Sequence, residues 1–124
     1  MKRELVIVDG QKYIRSDLQE KENTLNGLER CVIRSYGAGV FVGYVKEKKA
    51  ELNGVNVTLL KSKRIYYWDG ACSLTQLAME GVKKPENCKI TEAIDEQFIA
   101  DVVEILPLYK NASKNIDEVK VWKS

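Results

Sequence analysis

Apolar and polar residues alternate most cleanly at Val55-Asn56-Val57-Thr58-Leu59-Leu60, where Val55, Val57 and Leu59 share one face and Asn56 and Thr58 the other. That period of two predicts a half-buried strand. Two further runs, Cys31-Val32-Ile33-Arg34-Ser35-Tyr36 and Val40-Phe41-Val42-Gly43-Tyr44-Val45, flank a Gly37-Ala38-Gly39 break, and a fourth, Arg64-Ile65-Tyr66-Tyr67-Trp68, ends at Asp69-Gly70. With Asn53-Gly54 as a turn, these runs predict a four-stranded antiparallel meander. Upstream, β-branched Leu5-Val6-Ile7-Val8 is closed by Asp9-Gly10 and followed by Gln11 to Ile14, which predicts a tight hairpin. Residues 16–27 are mostly polar and read as a surface loop or a short helical turn.

Beyond the meander the period changes. Ser73-Leu74-Thr75-Gln76-Leu77-Ala78-Met79-Glu80-Gly81 has serine at the N-cap, glutamine three residues on, and glycine where a helix C-terminus takes a left-handed residue. A helix of two turns is expected. Residues 82–89, with Pro85 and several charges, read as a connecting loop. In the next stretch Ile90, Ala93, Ile94, Phe98 and Val102 fit a helical stripe, but the β-branched Ile99, Val102, Val103 and Ile105 and the closing Pro107 favour strands. The Asn115-x-x-Glu118 box suits a helical turn, and Val119-Lys120-Val121-Trp122 suits a last edge strand. The fold class is α+β, mainly antiparallel β, with a β-meander and one or two short helices in a single compact domain over residues 1–124.

Charge and composition narrow the function classes. The 20 basic and 18 acidic residues are interspersed and leave a net charge of +2, which argues against non-specific DNA binding. Apolar runs fall short of the roughly 20 residues that span a bilayer, and the N-terminal apolar stretch is too short for a signal peptide. A cytoplasmic protein is expected. Its three cysteines form no CxxC pair and read as free thiols, with no structural zinc site. The chain contains no histidine, so the commonest general base and the commonest partner of a nucleophilic serine or cysteine are missing. Asp95 and Glu96, like Asp117 and Glu118, are sequence neighbours whose side chains tend to point apart, and Lys46-Glu47-Lys48-Lys49 reads as a solvated strand end or turn. Binding without catalysis is the expectation, and no cofactor or metal is called for.

Two segments carry candidate binding chemistry. In Arg34-Ser35-Tyr36-Gly37-Ala38-Gly39-Val40-Phe41 small residues allow a ligand close to backbone N–H groups, an arginine can pair with phosphate, and aromatic rings can stack on a base. The same glycines equally suit a hairpin or bulge that needs positive φ. Arg64-Ile65-Tyr66-Tyr67-Trp68-Asp69-Gly70-Ala71 gathers three aromatics. On a strand, Tyr66 and Trp68 face one way and Tyr67 the other, so at least one large ring is expected to be partly exposed, toward a ligand or a protein partner.

These two segments and the Ser73 to Gly81 helix resemble a family of small phage and prophage proteins in which I-R-x-Y-[SG]-A-G-V-x-x-G precedes Y-W-x-G-A-x-[ST]-L-x-x-[LV]-A-x-E-G. Within that group the chain resembles the phage anti-Thoeris sponge proteins, which sequester a cyclic ADP-ribose isomer (gcADPR) made by a bacterial TIR-domain enzyme. Some members also hold cyclic oligonucleotides. The resemblance implies a non-enzymatic anti-defence protein of the host cytoplasm, a homodimer or higher oligomer, with an anionic, adenine-bearing ligand and neither DNA nor membrane as partner. The ligand-binding candidates it carries over are Arg34, Tyr36, Gly37, Ala38, Gly39, Phe41, Arg64, Tyr67, Trp68, Ser73 and Gln76. A protein–protein interaction module or inhibitor of a host protein is the alternative.

Overall fold

Strands buried on both faces read as continuous apolar runs, and Cys31-Val32-Ile33 is one: Cys31 and Ile33 enter one core and Val32 another. The computed structural model describes residues 5–8, 11–14, 25–52 and 54–123. Strands β1 (Leu5–Val8) and β2 (Gln11–Ile14) form the expected antiparallel hairpin, Leu5 opposite Ile14. The turn proposed at Asp9-Gly10, the loop residues 16–24 and Asn53 of the later turn lie outside the described residues.

β3 (Arg30–Ser35), β4 (Gly39–Glu51) and β5 (Gly54–Tyr67) follow one another as antiparallel neighbours, then come β6 (Lys89–Ile90) and β7 (Ile94–Pro107). β7 pairs with both β3 and β5, so the order β4-β3-β7-β5, with β5 returning to β4, closes a ring of four strands. β6 extends the sheet beside the far end of β5. The ring interior is filled by Cys31, Ile33, Phe41, Val57, Leu59, Ile99 and Val102. A second core covers the outer face, where Val32, Val42, Ile65 and Ile90 meet Leu77, Ala78, Ala112 and Ile116 of two helices.

The expected third and fourth strands are one strand, β5, and the polar Lys61-Ser62-Lys63 between them is a bulge rather than a turn. Lys61 takes φ 52°, and two residues of β5 stand opposite one of β4 there. The extra residue reverses the alternation. Val57 and Leu59 point into the ring, but Ile65 points outward to the helices. The strands favoured over 90–106 are present as the end of β6 and as β7, with residues 91–93 between them, and β7 too is bulged, with Asp101 at φ 54°.

α1 (Leu74–Glu80) starts where the capping pattern places it: the Ser73 hydroxyl accepts the Gln76 N–H at 3.1 Å, and Gln76 Oε1 accepts the Cys72 N–H at 2.8 Å. Gly81, at φ 81°, ends it, and a β-carbon there would overlap the Asn115 amide. That amide instead holds both the N–H and the carbonyl of Val82, at 2.7 and 3.0 Å. α2 (Lys110–Asp117) is tied to the sheet by Arg30, whose buried guanidinium donates to Ser113 Oγ at 2.6 Å and to both Asp117 oxygens at 2.9 and 2.8 Å. The expected last strand is reduced to one parallel bridge, Val121 to Ile90, with Trp122 N–H donating to the Ile90 carbonyl at 2.9 Å. No helix among the described residues is long and apolar enough to cross a membrane.

Candidate functional site

The turn between β3 and β4 brings part of the first motif together with part of the second. Ser35 fastens it from below, its hydroxyl donating to the Ala100 carbonyl at 2.7 Å and accepting the Ala38 N–H at 3.3 Å. Tyr36 N–H donates to the Asp101 carbonyl at 3.0 Å, while the Tyr36 side chain is 89% exposed. Gly39 has φ 108°, which glycine adopts freely. Around both Gly37 and Gly39 the space where a side chain would start is empty for 4 Å, so the backbone is open to approach.

Arg64 lies against this turn. Register sets it opposite Phe41, and its guanidinium carbon sits 4.7 Å from the centre of that ring while Nη1 reaches the Ala38 carbonyl at 3.4 Å. Phe41 itself is fully buried in the ring interior, so it supports the arginine and is not open to a ligand. The exposed Arg64 guanidinium thus touches the same turn that carries the exposed Tyr36 side chain and the open Gly37 to Gly39 backbone.

Other candidates do not join them. Arg34 is opposite Val40, the strand neighbour of Phe41, so it projects from the face opposite to Arg64 and pairs with Glu104 at 3.1 Å. Trp68 is half-buried against the outer core and donates Nε1–H to the Ala71 carbonyl at 3.3 Å. Ser73 Oγ and Gln76 Oε1 cap the start of α1, and Gln76 Nε2 donates to Glu80 at 3.4 Å. Gly70, at φ 92°, is structural: a β-carbon would lie 2.5 Å from the backbone nitrogens of Lys83 and Lys84. Tyr67 is 52% exposed. Tyr66, read as sharing a face with Trp68, is exposed instead and stacks at 5.3 Å on Trp122, over which the Lys89 ammonium also sits at 5.3 Å.

Two open clefts adjoin the turn on its other side. One, of about 340 Å³, is lined by Glu51, Leu52, Gly54, Asn56, Ala100 and Asp101. The second, of about 310 Å³, is lined by Tyr36, Gly54, Asp101, Val102 and Val103. Asp101 and Asn56 were not among the sequence candidates. The lone carboxylate inside the apolar run Ile99-Ala100-Asp101-Val102-Val103 was the available signal. Among the described residues no three histidine, cysteine, aspartate or glutamate side chains gather as a metal site.

A family profile described as a domain of unknown function (DUF6948) matches residues 28–116, from the approach to β3 through most of α2. No curated protein and no solved structure matches the chain.

Proposed function

The chain belongs to the DUF6948 family, and for this member we propose a non-enzymatic role: it binds and sequesters an anionic, adenine-bearing signal of the cyclic ADP-ribose type. In this reading it is a phage or prophage anti-defence protein working in the host cytoplasm, and the captured molecule is gcADPR, withheld from the Thoeris effector. The observation that supports it is the grouping of the exposed Arg64 guanidinium with the Tyr36 ring and the open Gly37 to Gly39 backbone on one turn. Arginine pairs with phosphate oxygens, an exposed ring stacks on a base, and a glycine backbone admits close approach.

Arg34 faces away from Arg64, so it reaches the same ligand only across a subunit interface. A homodimer would supply that second cation and enclose more of the ligand than an open surface turn does. The test is direct. Excess gcADPR should raise the melting temperature, and heating the complex should release the ligand unchanged. A melting temperature unmoved by excess gcADPR, or a ligand consumed on incubation, overturns the proposal.

One observation favours a second reading, an interaction module that inhibits a host protein. Tyr66, Trp122 and Lys89 form an exposed aromatic and cationic patch, the composition of an interface hot spot. Under that reading Trp122→Ala abolishes the inhibitory effect while leaving gcADPR without influence on stability.

A further inference from the structure

We infer that Asp101, where two clefts meet beside Gly54, is a site for the vicinal hydroxyls of a ribose. This rests on the proposed capture of an ADP-ribose-type ligand and assigns its sugar to a place. A carboxylate accepts hydrogen bonds from two adjacent hydroxyls at once, which is how acidic side chains hold nucleoside riboses. The Asp101 carboxylate makes no hydrogen bond or ion pair with the described residues; only the Asp101 N–H and carbonyl are used, by Asn56 and Tyr36. Asn56 accepts that N–H through Oδ1 at 3.3 Å, which turns its amide NH₂ into an available donor for a sugar oxygen.

The surroundings fit the same ligand. Asn56 lines the larger of the two clefts that share Asp101 and Gly54, and Tyr36, Val102 and the exposed Val103 line the smaller, where Val103 offers apolar surface to the carbon side of a sugar. A volume of about 310 Å³ is at the lower end of small-molecule sites and suits a single ribose with part of a base. Asp101 and Glu51 repel phosphate, whereas Arg64 attracts it. The turn is touched by Asp101 at Tyr36 and by Arg64 at Ala38, two residues apart, so a ligand laid across it has its sugar over one end and its phosphate over the other.

The probe is methyl β-D-ribofuranoside, with its 2,3-dideoxy analogue as control, followed by amide resonances of the full chain. The ribofuranoside should shift the amides of Tyr36, Gly54 and Asp101, and the dideoxy compound should not. Asp101→Gly, at a left-handed position that glycine takes freely, should weaken ribofuranoside binding about tenfold or more. Asp101→Asn, which keeps the side-chain size and the backbone preference, guards against a folding defect and should also weaken it. No shift with the ribofuranoside, equal shifts with the dideoxy analogue, or full binding by both Asp101 variants overturns the inference. Failure of the gcADPR reading registers separately: gcADPR leaves the melting temperature unmoved while the ribofuranoside still shifts these amides.

Discussion

Ile99 and Val102 both point into the strand ring, although they stand three positions apart on one strand. Two inward side chains of a regular strand are separated by an even number of positions, and the bulge at Asp101 absorbs the odd one. Aspartate and glycine tolerate that left-handed backbone and a β-branched residue does not. Asp101→Gly should therefore fall within about 1 kcal/mol of the parent in urea unfolding, and Asp101→Val should lose about 2 kcal/mol.

Acid stability should depend on Asp117. Burial pushes its carboxyl up, but hydrogen bonds from Arg30 and Lys63 outweigh this and hold it below the usual carboxylate value. A carboxyl lowered in the folded state stabilises fully above its unfolded value of about 3.9 and loses that stabilisation as pH falls through the folded value. Thermal melts should steepen their decline below about pH 4, and Asp117→Asn should flatten that decline. At neutral pH Asp117→Ala should cost about 2 kcal/mol, less than a fully buried pair because this carboxylate is half exposed while Arg30 is not.

The three cysteines should separate by reactivity. Cys72 is exposed, Cys31 and Cys88 are buried, and burial pushes the Cys88 thiol up. A thiol reagent added to the native protein at mildly alkaline pH should label Cys72 quickly and the other two only on unfolding. Rapid labelling of Cys88 in the native state would contradict its buried position.

Helix α1 should respond to its caps. Ser73→Ala removes the acceptor for the Gln76 N–H and should cost about 1 kcal/mol. Gly70→Ala drives a β-carbon into the Lys83 and Lys84 backbone and should cost about 2 to 4 kcal/mol, measured by urea denaturation.

Arg64 and Arg34 should differ in ligand binding. Arg64→Ala should weaken gcADPR at least tenfold by calorimetry with little change in stability. If Arg34 acts across a dimer interface, Arg34→Ala should weaken gcADPR only under conditions where the protein is dimeric, so affinity and oligomeric state must be measured together.

Most strands and α1 were legible because their signals are local: β-branched alternation, the Ser73 and Gln76 capping pair, and Gly81 beyond the helix end; the Asn115-x-x-Glu118 box, by contrast, does not start a helix, since α2 begins at Lys110 and Glu118 caps its C-terminus. The bulges were not legible. Lys61 and Asp101 leave the backbone's ordinary range inside long strands, and such a step is set by ring closure, not by neighbouring residues. The helical stripe over residues 90–106 is not one buried face: Ile94 and Phe98 are exposed, while Ile99 and Val102 point into the ring. At the site, the turn and Arg64 were readable as motifs, but the sequence could not say that Arg34 faces the other way. That fact follows from β4 register, where Val40 and Phe41 divide the two arginines between opposite faces.

The outer half of β4 has a wider consequence. β3 pairs with Gly39 to Tyr44 only, so from Lys46 onward one side of β4 has no strand partner among the described residues. That stretch reads Lys46-Glu47-Lys48-Lys49, and charges on an unpaired strand margin deter another chain from docking there as an extra strand. Residues that look idle on the surface thus discourage edge-to-edge growth of one chain onto another.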